Sequence, residues 1–246
     1  MLFKDDFTGG LRLDSPGSAW RPGAALDGRA EGSPTGLTVV PTGVDPATGN
    51  PAFLAGPDSP APRWSAQVQR TSSAGVNGFD TRPGIRLTGA AELQVEVYGP
   101  AESAAGALLA LDRESGLLTG FRISGSVVQA LYERLPLPGA DHAAFGYAVP
   151  VAGCRPGRFH GCAVSLGDDG VRWELDGREV WQVTDPGLRP TGAGQPAWHL
   201  PGEESPLTVR QLGFGLALYA ERALGQGLRL RVRDFTVTAT ADHGSG

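Results

Sequence analysis

Glu92-Leu-Gln-Val-Glu96 is the sharpest local cluster of chemistry-capable side chains in the sequence. Along a strand alternate residues face the same way, so Glu92, Gln94 and Glu96 share one face and Leu93, Val95 and Val97 the other. Two carboxylates on one face are the residue types that acid/base chemistry uses. The residue between them is a neutral amide, which cannot supply the charge that would separate their pKa values. The pattern therefore reads first as an ordinary polar outer face. Tyr132-Glu133-Arg134 is the second cluster. Adjacent strand residues point in opposite directions, which turns Tyr132 and Arg134 together and Glu133 with Gln129. Arg134 either makes an ion pair at the sheet end or, like Glu133, orients a polar group of a ligand.

Other residue types argue for little. His142, His160, His199 and His243 include no pair with zinc-ligand spacing. Asp5-Asp6 and Asp168-Asp169 are too isolated for a calcium site, and Asp112-Arg-Glu114-Ser-Gly116 reads as a turn. No nucleophile elbow, phosphate loop or dinucleotide fingerprint occurs. The expectation is a site without metal or cofactor.

The elements that must position these groups are strands. The chain has 37 Gly and 20 Pro in 246 residues, roughly twice the average usage. Only 19% of residues are charged, too few for the solvated faces of long helices. Short strands joined by Gly/Pro turns fit, and one sandwich domain over residues 1–246 suits the length. Strands are expected at Leu2 to Thr8 and near 64–70, 84–89, 92–98, 106–112, 117–124, 127–135, 143–150, 159–166, 170–175, 178–183, 208–219 and 228–240. The Pro/Gly-rich stretches 14–62, where only Leu37 to Val40 is strand-like, and 185–207 read as long loops, and 242–246 as a disordered tail.

Two hairpins can be placed in register. A turn at Gly125-Ser126 pairs Ile123 with Val128, Phe121 with Ala130 and Thr119 with Tyr132 on the core face, and Arg122 with Gln129 on the other. A turn at Asp176-Gly177 puts Val171, Trp173, Leu175 and Val180 inward and Arg172, Glu174, Glu179 and Trp181 outward. The last strand alternates Leu228, Leu230 and Val232 with Arg229, Arg231 and Arg233.

The net charge of -5 lacks the basic excess of a nucleic-acid binder. No apolar run is long enough to span a membrane, and the N-terminus carries no leader-like apolar stretch. The expectation is a cytoplasmic protein whose partner is a small-molecule ligand or substrate rather than nucleic acid or a membrane. Cys154 and Cys162 could bridge, but two cysteines are not a disulfide framework.

Three segments carry a resemblance: the opening Leu-Phe-x-Asp-Asp-Phe, the hairpin Val171-Arg-Trp-Glu-Leu-Asp-Gly-Arg-Glu-Val180 and the closing Leu230-Arg-Val-Arg-Asp-Phe-Thr-Val237. Together they resemble the concanavalin A-like lectin/glucanase superfamily. Leu131-Tyr-Glu-Arg-Leu-Pro136, Phe145-x-Tyr147-Ala-Val-Pro150 and the Trp173 hairpin are similar to an uncharacterised bacterial family of unknown function. The resemblance implies an all-β, two-sheet antiparallel jelly-roll sandwich with its first and last strands adjacent. It also bears on Glu92 to Glu96, because laminarinase- and lichenase-type members carry Glu-x-Asp-x-Glu on such a strand, where the first Glu attacks, the Asp tunes it and the second Glu is acid/base, a double displacement that needs the carboxylates about 5 Å apart. Gln94 replaces the central Asp, which argues against glycosidase activity.

These readings place a polar-rimmed, apolar-floored site on the outer, concave side of one sheet. It would use Glu92, Gln94, Glu96, Arg122, Gln129 and Glu133, with Leu131 in the floor. Tyr132, Arg134 and the exposed Trp181 are further ligand contacts. Glu133, beside Leu131 and Leu118, would have a raised pKa and act as general acid or base with Arg122. Three carboxylates against one arginine suggest a neutral or cationic ligand group. The leading expectation is a cofactor-free cyclase or isomerase of secondary metabolism acting on an apolar molecule. The alternative is a carbohydrate-binding module or inactive glucanase relative, for which Trp20, Trp64, Trp181 or Trp198 would be the sugar platform.

Overall fold

A computed structural model describes residues 1–13, 17–54, 62–155, 157–220 and 226–242. His243 and the rest of the expected tail after Asp242 lie outside them. The strands in chain order begin with β1 (Phe3–Asp5), β2 (Trp20–Leu26), β3 (Gly28–Ser33), β4 (Gly36–Pro41), β5 (Gly43–Val44), β6 (Pro51–Ala52) and β7 (Trp64–Val68). Next come β8 (Phe79–Asp80), β9 (Ile85–Tyr98), β10 (Ala104–Leu111), β11 (Leu117–Ile123), β12 (Val127–Arg134) and β13 (Ala144–Gly153). The chain continues through β14 (His160–Gly167), β15 (Gly170–Leu175), β16 (Arg178–Val183), β17 (Trp198–Leu200), β18 (Gln211–Ala220) and β19 (Gly227–Ala241). Among the described residues there is no helix.

Two large antiparallel sheets form the expected sandwich. An eight-stranded sheet runs β16-β15-β14-β9-β19-β4-β3, with β1 also on β19. A nine-stranded sheet runs β17-β13-β12-β11-β10-β18-β7-β2, with β8 also on β18. The first and last strands are neighbours, Phe3 opposite Val237. Apolar residues at alternate positions of both sheets meet in one core that includes Trp20, Trp64, Phe121, Tyr132, Trp173, Phe214 and Phe235. Trp20 is fastened within it by its indole N–H, which donates to Asp5 at 2.7 Å.

Both hairpins form. The first has the expected register, including Thr119 opposite Tyr132 and Arg122 opposite Gln129. In the second, Asp176 and Gly177 have φ of 52° and 76°. Positive φ at both central residues is the geometry that Asp-Gly supplies in a two-residue hairpin turn. Its outer strand departs from the expectation. The register shifts between Trp173 and Glu174, so Trp181 lies opposite Trp173 and stacks on it at 4.5 Å between ring centroids. One inserted residue inverts side-chain parity. Trp181 accordingly packs against the core, next to Tyr132, and is not an outer-face platform.

The last strand follows the same rule. Leu228, Leu230 and Val232 face inward, the register then shifts between Arg233 and Thr236, and Phe235 and Val237 take over the inner face. The strict alternation expected along 228–240 is broken at Asp234, with φ 47°.

The stretch 14–62 is not loop alone: it holds β2 to β6, with β2 and β3 at the edges of the two sheets. Gly and Pro there mark edge strands, where missing donors and absent side chains are tolerated. The strands expected over 84–89 and 92–98 are one, β9. Asp242, expected in the tail, is held: Arg86 Nη2 donates to it at 3.0 Å, as does the Asp168 N–H at 2.6 Å.

Candidate functional site

Strand parity divides the expected site residues among three surfaces. Glu92, Gln94 and Glu96 lie on β9, in the eight-stranded sheet, opposite Arg233, Arg231 and Arg229 of β19. Glu96 is paired with Arg229 at 3.1 Å, and Arg233 lies over the Phe159 ring at 4.0 Å. This is a cross-strand charge ladder of the kind that holds a solvated sheet face. Arg122, Gln129, Leu131 and Glu133 lie on the outer face of the other sheet, on β11 and β12. The core separates the two groups, so they cannot form one site. Alternation along a strand gives the face but not the sheet, and the chain changes sheets between β9 and β10.

Tyr132 and Arg134 point inward. Tyr132 is fully buried, accepts a hydrogen bond from Gly187 N–H at 2.6 Å and donates to Leu188 O at 3.0 Å. Burial pushes its pKa up to about 12. Arg134 Nη1 donates to Gly187 O at 3.0 Å and Ser205 O at 3.2 Å. The two side chains fasten the long segment 184–210 over the sheet end and are not ligand contacts of the outer face.

Glu133, Arg122 and Leu131 do line a common cavity, a groove of about 680 Å³ on the outer face of the nine-stranded sheet. It crosses seven adjacent strands, from β7 through β18, β10, β11, β12 and β13 to β17. At ordinary strand spacing that is on the order of 25–30 Å. Its floor is Leu109, Leu111, Leu118 and Leu131, beside the side-chain-free positions Gly213 and Gly215. Gln129, opposite both Arg122 and Pro150, stands on the same face beyond the groove.

Glu133 sits between Leu118 and Gly146 in the cross-strand rows. Burial raises its pKa to about 7, against the opposing pull of Arg122. Near neutral pH its carboxyl is therefore divided between a proton donor and an acceptor. Tyr219 lines the same groove, and burial and the Glu133 charge both push its hydroxyl pKa up. Among the described lining residues Glu133 is the one carboxyl, with Arg113 and Arg122 the charged groups of opposite sign. The expectation of three carboxylates around one arginine is thus reversed.

Trp198 closes one end. β17, inside the segment expected as loop, pairs with the edge of β13, placing Trp198 opposite Gly146. A Cβ at Gly146 would lie 2.2 Å from the indole nitrogen, so the missing side chain is what admits the ring. Of the other tryptophans considered as platforms, Trp20 and Trp64 are core residues. The alternation did not reveal Tyr219, Gln67, Leu109 or Leu111 as lining residues. The available signal was Gly213, Gly215 and Ala217 at alternate positions of β18, a row of small side chains that leaves the outer face open.

A second cleft of about 610 Å³ lies at the sheet ends, between the loops near Ser73, Asp168 and Thr208. Among the described residues no cluster of three or more His, Cys, Asp or Glu is arranged to hold a metal ion. Cys154 and Cys162 are both free thiols.

Solved structures resemble this fold at low sequence identity. An endo-1,3-beta-glucanase from Streptomyces sioyaensis is 14% identical, with a TM-score of 0.58 over 98% of this chain and 96% of that one. The Crh5 transglycosylase is 15% identical, with a TM-score of 0.53 over 96% and 82%. The cellulose induced protein Cip1 is 14% identical, with a TM-score of 0.53 over 96% of each chain. The fold is accordingly a concanavalin A-like jelly roll. No curated protein matches the chain in sequence. Residues 4–241 match a family described as a family of unknown function, DUF6081, and the chain belongs to that family.

Proposed function

We propose that the protein is a carbohydrate-binding jelly roll whose ligand lies in the groove of the nine-stranded sheet. The observation that carries this reading is the groove itself, open across seven strands, with an apolar floor, an indole at one end and hydrogen-bonding groups along its walls. Sugar rings have C–H faces that suit Leu131, Leu109 and Trp198, and hydroxyls that suit Glu133, Arg122 and Tyr219. The fold-level relatives named as a glucanase and a transglycosylase support the same ligand class by analogy. Hydrolysis by double displacement is not part of the proposal, because it needs two carboxyls about 5 Å apart and among the described lining residues Glu133 is the one carboxyl.

A specific feature favours a second reading. The leucine floor and the near-neutral pKa of Glu133 also suit an apolar metabolite undergoing a cofactor-free isomerisation or cyclisation, with Glu133 as acid or base and Arg122 orienting it. Calorimetric titration with β-1,3-glucan, cello-oligosaccharides and uronate oligosaccharides decides between them. Saturable binding that is lost in Trp198→Ala supports the carbohydrate reading. No heat from any glycan, together with binding of an aliphatic probe such as decanol, favours the second.

A further inference from the structure

The end of the groove far from Trp198 gathers positive charge around a neutral group. Gln67 Oε1 accepts a hydrogen bond from Arg21 Nη2 and another from Arg113 Nη2, both at 3.2 Å. Gln67 and Arg113 line the groove, with Arg21 beside them. Among the described residues neither guanidinium has an ion-pair partner, and Arg21 Nε is buried without a hydrogen bond. Burial and the repulsion of Arg113 both lower the Arg21 pKa. A carboxylate at position 67 would neutralise the pair, yet the residue there is an amide. The groove's own carboxyl, Glu133, stands four strands away on β12. Two guanidiniums converging on one acceptor, without an anion among the described residues, form a fork suited to a planar carboxylate.

We propose that the Arg21–Gln67–Arg113 end of the groove seats a carboxylate of the ligand. The inference rests on the groove being the binding site and specifies what it selects. The remainder of the ligand lies along the leucine floor toward Glu133 and Trp198. A carboxylate on such a scaffold has two chemical sources, an acidic sugar or an aliphatic acid. Charge selection at Arg113 is common to both.

The test is calorimetry at low salt with two matched pairs, trigalacturonate against its methyl ester and decanoate against decanol. Wild type, Arg113→Gln and the remote surface control Arg178→Gln are compared. An acid form preferred by about tenfold over its neutral partner, with the preference lost in Arg113→Gln, kept in Arg178→Gln and weakened by salt, is the expected result. The preference within the decanoate pair alone upholds the inference while the carbohydrate reading fails. Measurable but equal binding of trigalacturonate and its ester, with no preference for decanoate over decanol, overturns the inference and leaves the carbohydrate reading standing, and a preference in either pair that survives in Arg113→Gln also overturns it. Failure of both acids to bind also overturns it.

Discussion

The indole of Trp198 occupies the space that a side chain on Gly146 would fill. Gly146 is also the cross-strand neighbour of Glu133, so one glycine on β13 adjoins both the aromatic wall of the groove and its carboxyl. Gly146→Ala should expel the ring. The expected cost is about 1–2 kcal/mol of stability, a red shift in tryptophan emission and loss of ligand affinity. Denaturant titration and fluorescence of the ligand-free variant check the first two; an unshifted spectrum would mean that the backbone gives way instead.

Glu133 should make stability depend on pH. Its pKa is raised by burial from 4.5 to about 7 in the folded protein. The folded state therefore binds a proton more tightly than the unfolded chain, and stability is lost as pH rises through that window. Glu133→Gln has no such loss. It should match the parent near pH 4.5 and exceed it by about 3 kcal/mol at pH 8. Thermal melts across that range measure the gap, and a difference independent of pH would refute the assignment.

Asp242 should behave with the opposite sign. Burial pushes its carboxyl pKa up, but hydrogen bonds from Asp168 N–H and Arg86 outweigh it and hold the pKa below the usual value. Its contribution is present above the unfolded-state pKa and is lost as pH falls through the folded one. Asp242→Asn should cost about 1.5–3 kcal/mol at pH 7 and less at pH 3. Urea midpoints at the two pH values provide the comparison.

Tyr132 and Arg134 are expected to control the segment across the sheet end rather than ligand binding. Tyr132→Phe removes the acceptor of the Gly187 N–H and should cost about 1–3 kcal/mol. Hydrogen exchange over 186–207 should accelerate, while exchange in β10 and β11 changes little. Equal acceleration everywhere would indicate global destabilisation instead.

The sandwich was legible because alternation and turn chemistry are local. Phe121, Ile123, Val128 and Ala130 set the first hairpin's register without help, and Asp176-Gly177 set the turn of the second. What was not legible follows from parity and pairing. The irregularities at Trp173/Glu174 and at Asp234 each add one residue to a strand, and nothing local distinguishes an inserted residue from a paired one. Alternation alone turns Trp181 outward for that reason. Alternation groups Glu92 with Glu133 because both face away from the core, and only long-range pairing assigns β9 and β12 to different sheets. Glu133 in its leucine surroundings, by contrast, could be anticipated from its immediate strand neighbours Leu131 and Leu118.

The central claim is that ligand occupies the face of Glu133 and not the face of Glu92. The most direct measurement is a set of calorimetric titrations, with any glycan or carboxylate found to bind wild type, of Leu131→Asp, Trp198→Ala, Glu92→Gln and Glu96→Gln, all checked for folding by thermal melt. The account predicts that the first two lose affinity by at least about tenfold, more than 1.4 kcal/mol, and that the last two bind like wild type. Loss of binding in Glu92→Gln or Glu96→Gln, with Leu131→Asp and Trp198→Ala unaffected, would place the ligand on the arginine ladder of the eight-stranded sheet and contradict it.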